Sequence, residues 1–302
     1  MRIGLIGNCQ VQTLEAVLGV MLPGSIFSVL DFSKPEWQDA AKREVFSGQL
    51  SECDIVFAHP NVYSHVSTEE LRNLLGKKLA LIGNFYFRGY FPDICYIGGI
   101  GKRLPNLLSY HSIVVVRSYL LGQTPEQCLA DFSEKKYSEF GFFEDWKISL
   151  EALRGRDATV DYPIADLVEE FAVDRQIFHT VNHPTIDLIA YYLSDVCKKL
   201  GLQIPATRLW MTADPLYEYG MPPVFDFLAG HHNLRFRSTQ FYKMSGAQFI
   251  TADAFIRGSY RQYDIANLRE EPIAISSPGE LKNRGLLPEI VTKPTTIAVQ
   301  SV

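Results

Sequence analysis

Apolar runs alternate with segments of helical periodicity along the first hundred residues of the chain. The apolar runs predict strands at residues 2–7, 26–32, 53–60 and 78–87. The segments between them place apolar residues on one face of a helix, at residues 11–22, 37–46 and 67–75. This alternation favours a parallel sheet with helices on both of its faces.

The pattern becomes mainly helical from about residue 104. Helical periodicity marks residues 123–132, 136–157, 163–178 and 184–202, and one clear late helix falls at 247–263. We therefore predict an α/β protein in two parts. Residues 1–103 form the parallel-sheet domain, and residues 104–302 form a mainly helical region that packs on it and shares one active-site cleft with it.

Composition and charge exclude several classes of function. A net charge of -5 argues against a general nucleic-acid-binding protein, which needs a basic face. The five cysteines form no CxxC pair, and the seven histidines lack the spacing of metal ligands, so we expect neither a disulfide framework nor a metal site. The chain starts without a signal-peptide pattern and has no apolar run of the ~20 residues that span a bilayer, so we expect a cytoplasmic protein.

The candidate chemistry falls in polar turns that follow the predicted strands. These turns are GNCQ after the first strand, AHPN after the third and GNFYFRGYFPD around the fourth. Ligands of parallel α/β sheets bind beyond the carboxyl ends of the strands. We therefore expect the active site at this edge of the sheet.

Cys9 stands at a strand-to-helix turn, directly after Gly7 and Asn8. Unpaired N–H groups and the positive end of a helix dipole favour a thiolate at such a position, which makes Cys9 a candidate nucleophile. The alternative is a small core residue packed under the first helix.

A cysteine nucleophile needs a base, and His183 is the best-placed histidine. It precedes Pro184, which opens a long amphipathic helix. A capping or packing role is the alternative for His183, and His59 or His111 would be the base in that case.

The amide side chains of Asn8 and Gln10 flank the thiol. They are candidate donors to an oxyanion that develops on an acyl carbonyl. The alternative is that Asn8 only shapes the turn and Gln10 only caps the helix.

A glycine-rich stretch, IGGIGKRLPN, suggests a place for phosphate groups. A plain surface loop is the alternative, because the stretch is not a Walker loop. The candidate cations for one anion pocket are Arg88, Lys102, Arg103, Arg117 and Arg175.

The order of a nucleophile after the first strand and a His-Pro pair before a late helix is similar to that of SGNH hydrolases and transferases. The chain departs from that pattern in two places. Cys9 replaces the serine, and Thr180 stands where the aspartate is expected, three residues before His183. A missing aspartate weakens a serine mechanism more than a cysteine mechanism.

Successive blocks of the chain together resemble the WcbI family of bacterial polysaccharide biosynthesis enzymes. The blocks, which run from Arg2 to Leu200, are RIGLIGNCQVQTL, YFRGYFPDICYIG, YHSIVVVRSYLLGQTPEQCLADF, KYSEFGFFEDWKISLEALRGRD and RQIFHTVNHPTIDLIAYYL. The GNCQ and NHP turns are the most specific parts of this resemblance. One departure is Phe91, which stands before Pro92 where a histidine is expected.

The resemblance implies binding of coenzyme A or acetyl-CoA as a substrate. It also implies O-acetylation of a sugar, presented as a glycan or a nucleotide-sugar, in a capsular or other surface polysaccharide. The site residues that it carries over, besides those of the GNCQ turn, are Asp93, Tyr110, His111, Ser112, Asn182 and His183.

Two other classes of function remain open at the level of sequence. One is an SGNH-like esterase or deacetylase of glycans, which would use water as the acceptor. The other is a non-catalytic subunit that binds CoA. The acceptor sugar, the acyl group and the oligomeric state are not set by the sequence.

Overall fold

The computed structural model of the protein describes residues 1–32, 40–60, 67–98, 103–204, 213–246 and 248–269. The chain forms two compact units, and each is built from two stretches of sequence. The first unit consists of Met1–Phe87 and Ser149–Tyr217. The second consists of Arg88–Ile148 and the described residues from Glu218 onward. The domain boundary expected at residue 103 lies inside the second unit.

The first unit contains a four-stranded sheet in which all neighbouring strands are parallel. Its strands are β1 (Arg2–Gly7), β2 (Ile26–Asp31), β3 (Ile55–Ala58) and β4 (Leu79–Leu81). The spatial order is β2-β1-β3-β4. The two central strands are almost continuously apolar and buried, as expected for a parallel sheet that is covered on both faces.

Five α-helices among the described residues lie wholly in the first unit, and two of them begin at a side-chain cap. They are α1 (Val11–Met21), α2 (Ala40–Ser51), α3 (Thr68–Leu75), α8 (Ala165–Phe171) and α9 (Ile186–Lys199). Ser67 and Glu70 form a reciprocal capping box at the start of α3, and the hydroxyl of Thr185 accepts the N–H of Leu188 at the start of α9. α1 packs against α9.

The strand order creates a topological switch point beside β1. The chain passes from β1 to β2 on one side and then to β3 on the other side of β1. The carboxyl ends of β1 and β3 are therefore the place where ligands bind in sheets of this type. The residues at these ends are Gly7 and, directly after β3, His59.

The second unit is mainly helical, with short strand pairs. Its elements are β5 (Ile94–Cys95), β6 (His111–Ser112), α4 (Ile113–Leu120), α5 (Pro125–Asp131), α6 (Glu134–Glu139), the start of α7 (Asp145–Asp157), α10 (Asp226–His231), β9 (Tyr242–Lys243), β10 (Phe249–Ile250) and α11 (Ala252–Ile265). Another strand pair, β7 (Phe178–Thr180) with β8 (His183–Pro184), belongs to the first unit.

The predicted α/β class is confirmed, and the differences have local causes. The fourth strand ends at Leu81, because the N–H of Gly83 bonds to the carbonyl of Tyr162 and to the hydroxyl of Tyr192. The predicted helix over residues 136–157 is broken into α6 and α7 at Gly141, which has a φ of 69°. No helix among the described residues has both the length and the apolar character needed to cross a bilayer.

Candidate active site

The GNCQ turn joins β1 to α1 and places Cys9 half-buried at the start of the helix. Asn8 shapes the turn, because its Oδ1 accepts the backbone N–H of Gln10 at 3.0 Å. The Nδ2 of Asn8 donates to Oδ1 of Asn84 at 3.3 Å. The side-chain amide of Asn8 therefore links the turn to α1 and to Asn84.

Gln10 is fully buried, and its side-chain amide connects three segments of the first unit. Nε2 donates to the carbonyls of Phe85 at 2.7 Å and Asn182 at 2.9 Å, and Oε1 accepts the N–H of Phe85 at 3.2 Å. The amide therefore fixes the GNCQ turn against the segment after β4 and against the NHP turn. Both Nε2 hydrogens are used in these bonds, and the side chain makes no capping bond to α1.

The NHP turn brings His183 to Cys9. His183 opens β8 and is paired with Thr180 of β7, while the next residues begin α9. The Sγ of Cys9 lies 3.5 Å from Nε2 of His183, which is within hydrogen-bonding distance for sulfur. The structure thus joins the two residues of the chain that the sequence singled out as nucleophile and base.

The environment of His183 keeps its imidazole neutral at pH 7. The pKa of His183 is lowered to about 4, mainly by burial and also by electrostatic interaction with His179, while Asp214 acts in the opposite direction. A neutral imidazole has a lone pair that can accept the proton of a thiol. A neutral imidazole therefore lies beside the sulfur of Cys9.

His179 and Asp214 form a hydrogen-bonded pair beside His183 that the sequence did not predict. The Nε2 of His179 lies 2.8 Å from Oδ2 of Asp214, and that same oxygen accepts the N–H of Ile186 at the start of α9. Burial would raise the pKa of Asp214, but hydrogen bonds from His179, Ile186 and Leu216 outweigh it and lower the pKa. Asp214 therefore holds β7 and α9 on either side of His183.

No sequence signal marked Asp214, because it lies 28 residues after Ile186 along the chain and in no motif. The SGNH pattern directed attention to position 180, and the threonine there donates to the side chain of Asn182.

His59 lies at the carboxyl end of β3, in the same unit as Cys9. It is 2% exposed, and burial lowers its pKa to about 4. Its imidazole lies against Gly7, which is the last residue of β1 and the first residue of the GNCQ turn.

The remaining polar site residues that the sequence predicts in the second unit are buried in its interior. His111 is completely buried; its Nδ1 bonds to the hydroxyl of Tyr263 at 3.0 Å and its Nε2 to the carbonyl of Leu104 at 3.1 Å. Both ring nitrogens are thus engaged, and burial lowers the pKa of His111 to about 4. This arrangement fits a structural histidine better than a catalytic base.

Asp93, Ser112 and Tyr110 are also buried in the second unit. The hydroxyl of Ser112 donates to Oδ2 of Asp93 at 2.5 Å, and burial raises the pKa of Asp93 although this bond opposes the shift. The ring of Tyr110 lies 4.9 Å from that of Tyr96. Their roles toward a substrate remain predictions.

The structure gives separate local partners to the described cations that the sequence predicts for an anion pocket. Arg88 donates to the carbonyl of Pro92 at 2.5 Å and lies 3.6 Å from the buried carboxylate of Asp145. Three other arginines stack on aromatic rings, and Lys102 lies outside the described residues. The stacked pairs are Arg103 on Tyr96, Arg117 on Phe140 and Arg175 on Phe171.

Metal and disulfide chemistry find no support among the described residues. No group of three or more His, Cys, Asp or Glu side chains there is arranged to hold a metal ion. All five cysteines are free, and burial raises the pKa of Cys53, Cys95, Cys128 and Cys197. These four are inert core thiols.

Comparison with known proteins decides the family. A family model described as polysaccharide biosynthesis enzyme WcbI matches residues 2–205. The chain belongs to the WcbI family. The matched segment contains both the GNCQ turn and the NHP turn, so the predicted resemblance is confirmed, and the chain is a member of a family of polysaccharide biosynthesis enzymes.

One solved structure of a WcbI protein is similar over almost the whole length of both chains. It is described as a novel polysaccharide biosynthesis enzyme, in native form without a disulfide bond between CoA and a cysteine. The TM-score is 0.70 at 14% identity, over 96% of this chain and 97% of that one, which shows a shared fold. No curated protein sequence matches this chain.

The buried histidines of the WcbI chain predict destabilisation in mild acid. His59, His111 and His183 have pKa values of about 4 in the folded state, against 6.5 when exposed. Between these values the unfolded chain binds more protons, so stability is complete above pH 6.5 and falls as the pH drops toward 4. Each histidine should lower the free energy of unfolding by about 2 kcal/mol between pH 7 and pH 5.

Urea denaturation at pH 7, 6 and 5 measures this effect. His59→Leu removes one of four such groups, because burial also lowers the pKa of His232 to about 4, and it should reduce the histidine contribution to the slope by about one quarter. A free energy of unfolding that is constant from pH 7 to pH 5 would contradict the burial of neutral histidines.

Proposed function

We propose that this protein is an acyltransferase that moves an acyl group, most simply acetyl, from coenzyme A to a hydroxyl group of a sugar in a capsular or other surface polysaccharide. The observation that carries the proposal is the 3.5 Å contact between Sγ of Cys9 and Nε2 of His183. The family match supports a role in polysaccharide synthesis. The related structure connects a WcbI protein with CoA and a cysteine, which supports a thioester as the donor.

The first step transfers the acyl group to Cys9. His183 takes the proton from the thiol as Sγ forms a bond to the acyl carbon, and the bond between that carbon and the CoA sulfur breaks. His183 then gives the proton to the departing CoA thiolate. One thioester replaces another, so this step is close to balanced in energy.

The second step transfers the acyl group to the sugar. His183 takes the proton from the sugar hydroxyl as its oxygen attacks the acyl carbon, and the bond to Sγ of Cys9 breaks. The proton returns from His183 to the thiolate. His183 is neutral at pH 7, so its imidazole has a lone pair that can accept the proton in both steps.

An amide donor for the developing oxyanion is available at Asn84. Its Oδ1 accepts the hydrogen bond from Asn8, which orients the amide, and its Nδ2 donates to no described residue. Asn84 is nearly buried and follows β4 at the same edge of the sheet as the GNCQ turn. We assign to Asn84 the donor role that the sequence suggested for Gln10.

The stacked arginines are suited to the phosphate groups of CoA. A guanidinium that lies flat on a ring keeps the N–H donors at its edge for an anion. Arg103, whose Cζ is 3.7 Å from the centre of the Tyr96 ring, is exposed and forms no ion pair with a described carboxylate. Arg88 is less suited, because Asp145 already neutralises it.

Native mass spectrometry and a thermal-shift assay with added CoA test donor binding. We expect the purified protein to bind CoA, and to transfer acetyl from acetyl-CoA to a glycan or nucleotide-sugar. Cys9→Ala serves as control, since it should still bind CoA. Absence of both retained CoA and a thermal shift would refute the proposal. Acetyl release into water without CoA dependence would favour an esterase, and CoA binding without any transfer would favour a non-catalytic subunit.

A further inference from the structure

His59 occupies the centre of the ligand-binding edge of the sheet. It directly follows β3, whose neighbours in the sheet are β1 and β4. The N–H of His59 bonds to the carbonyl of Ile6 at 3.0 Å, which continues the pairing of β3 with β1. The side chain therefore stands at the switch point between the ends of β1 and β3.

The imidazole of His59 fits beside Gly7 because glycine has no side chain. A Cβ added to Gly7 would lie 2.5 Å from Nδ1 and 3.0 Å from Cε1 of His59, and 2.9 Å from a methyl group of Val11. Any other residue at position 7 would displace the ring or the helix start. The Nδ1–Cε1 edge thus packs against the strand that leads into the GNCQ turn.

The imidazole of His59 is buried and has no hydrogen-bonding partner among the described residues. It is 2% exposed, and neither Nδ1 nor Nε2 bonds to a described residue. Buried polar groups in native proteins are normally paired, and each exception calls for a cause such as a ligand. His111 shows the usual arrangement in the same chain, because both of its nitrogens are bonded.

The side-chain amide of Gln10, which flanks Cys9, has no hydrogen left to donate to an oxyanion. Both Nε2 hydrogens of Gln10 bond to the carbonyls of Phe85 and Asn182. The side chain of Asn8 bonds to Asn84 and to the backbone N–H of Gln10. His59 is neutral above about pH 5, because burial lowers its pKa to about 4, so it carries one N–H donor. Neutral imidazole N–H groups can polarise a carbonyl in enzyme sites.

We propose that His59 donates a hydrogen bond, through Nε2, to the carbonyl oxygen of the acyl thioester and to the oxyanion that forms from it. This inference rests on the proposed acyl transfer and adds a second donor beside Asn84. His59 thereby recognises the acyl group itself rather than the CoA portion of the donor.

Two variants of His59 test this contact against a packing role. His59→Leu has a similar volume but no polar atom, and we expect it to raise the Tm by about 2–4 °C, because an unpaired polar group is removed. We expect it to lower kcat for acetyl transfer by about 10²-fold. The Kd for free CoA, which has no acyl carbonyl, should stay unchanged. His59→Gln places an N–H donor near the position of Nε2 and should recover part of the lost kcat.

His111→Leu is the matched control for the stability measurement. It should lower the Tm, because it leaves the hydroxyl of Tyr263 and the carbonyl of Leu104 unpaired. If the wild-type protein transfers acetyl and His59→Leu does so with the same kcat, the His59 contact is overturned while the proposed function stands. A loss of free CoA binding in His59→Leu would also overturn it, since the contact would then be to the CoA portion. No transfer by the wild-type protein, with no CoA binding, would refute the proposed function and this contact together.

Discussion

Cys9→Ala should abolish acetyl transfer, with a loss in kcat of at least roughly 10⁴-fold and a change of less than about 1 kcal/mol in the free energy of unfolding. The reason is that Cys9 is half-buried in a turn whose hydrogen bonds come from Asn8 and Gln10, not from the thiol. Only the acyl-accepting atom is removed. Transfer of labelled acetyl to a sugar acceptor measures the rate, and urea denaturation measures the stability.

Cys197→Ala is the matched control for this variant. Cys197 lies in α9 of the same unit, is fully buried, and has its pKa raised to about 11 by burial. Its removal should cost stability through a small cavity but leave kcat per folded molecule unchanged. Near-normal transfer by Cys9→Ala would contradict the acyl-enzyme and would leave His183 to deprotonate the sugar directly.

Gln10→Leu should lower the free energy of unfolding by about 3–5 kcal/mol. The substitution leaves three buried backbone groups without partners, namely the carbonyl and N–H of Phe85 and the carbonyl of Asn182. It also releases the GNCQ turn from the NHP turn, so the distance between Cys9 and His183 is no longer fixed. We expect kcat to fall by about 10²-fold even at temperatures at which the variant is folded.

Gln12→Ala provides the comparison for the Gln10 variant. Gln12 is half-buried and makes a single long bond, 3.4 Å, from its amide to Asp31. Its loss should change the free energy of unfolding by less than about 1 kcal/mol. Equal stability of the Gln10 and Gln12 variants would contradict the clamp assigned to Gln10.

The sheet of the first unit was predictable because its signals are local. β1 is found where the apolar run lies, at Arg2–Gly7, and α1 begins at the predicted Val11. α5 begins at Pro125, as the first-turn proline indicated. The short strands of the second unit have two residues each, too few to produce a period in the sequence. α4 was also missed as a separate helix, because its run Val114–Val116 has little amphipathic pattern.

The contact between Cys9 and His183 was predictable, but the residues that surround it were not. Cys9 and His183 each stand at a boundary between elements that the sequence marks, whereas the distance between them depends on tertiary packing. Bonds between residues far apart in sequence leave no local pattern, as for His179 with Asp214 or Gln10 with Asn182. The division of the chain into discontinuous units has the same origin, since residues 149–217 return to the first unit.

Mass spectrometry of the protein after brief reaction with acetyl-CoA, without a sugar acceptor, tests the central claim most directly. The account predicts one acetyl group on the peptide that contains Cys9, its loss when a competent acceptor is added, and its absence in Cys9→Ala. His183→Gln should form it far more slowly, because the base is missing. Transfer to the acceptor in wild-type protein without any acetyl group on Cys9 at any time would contradict the account.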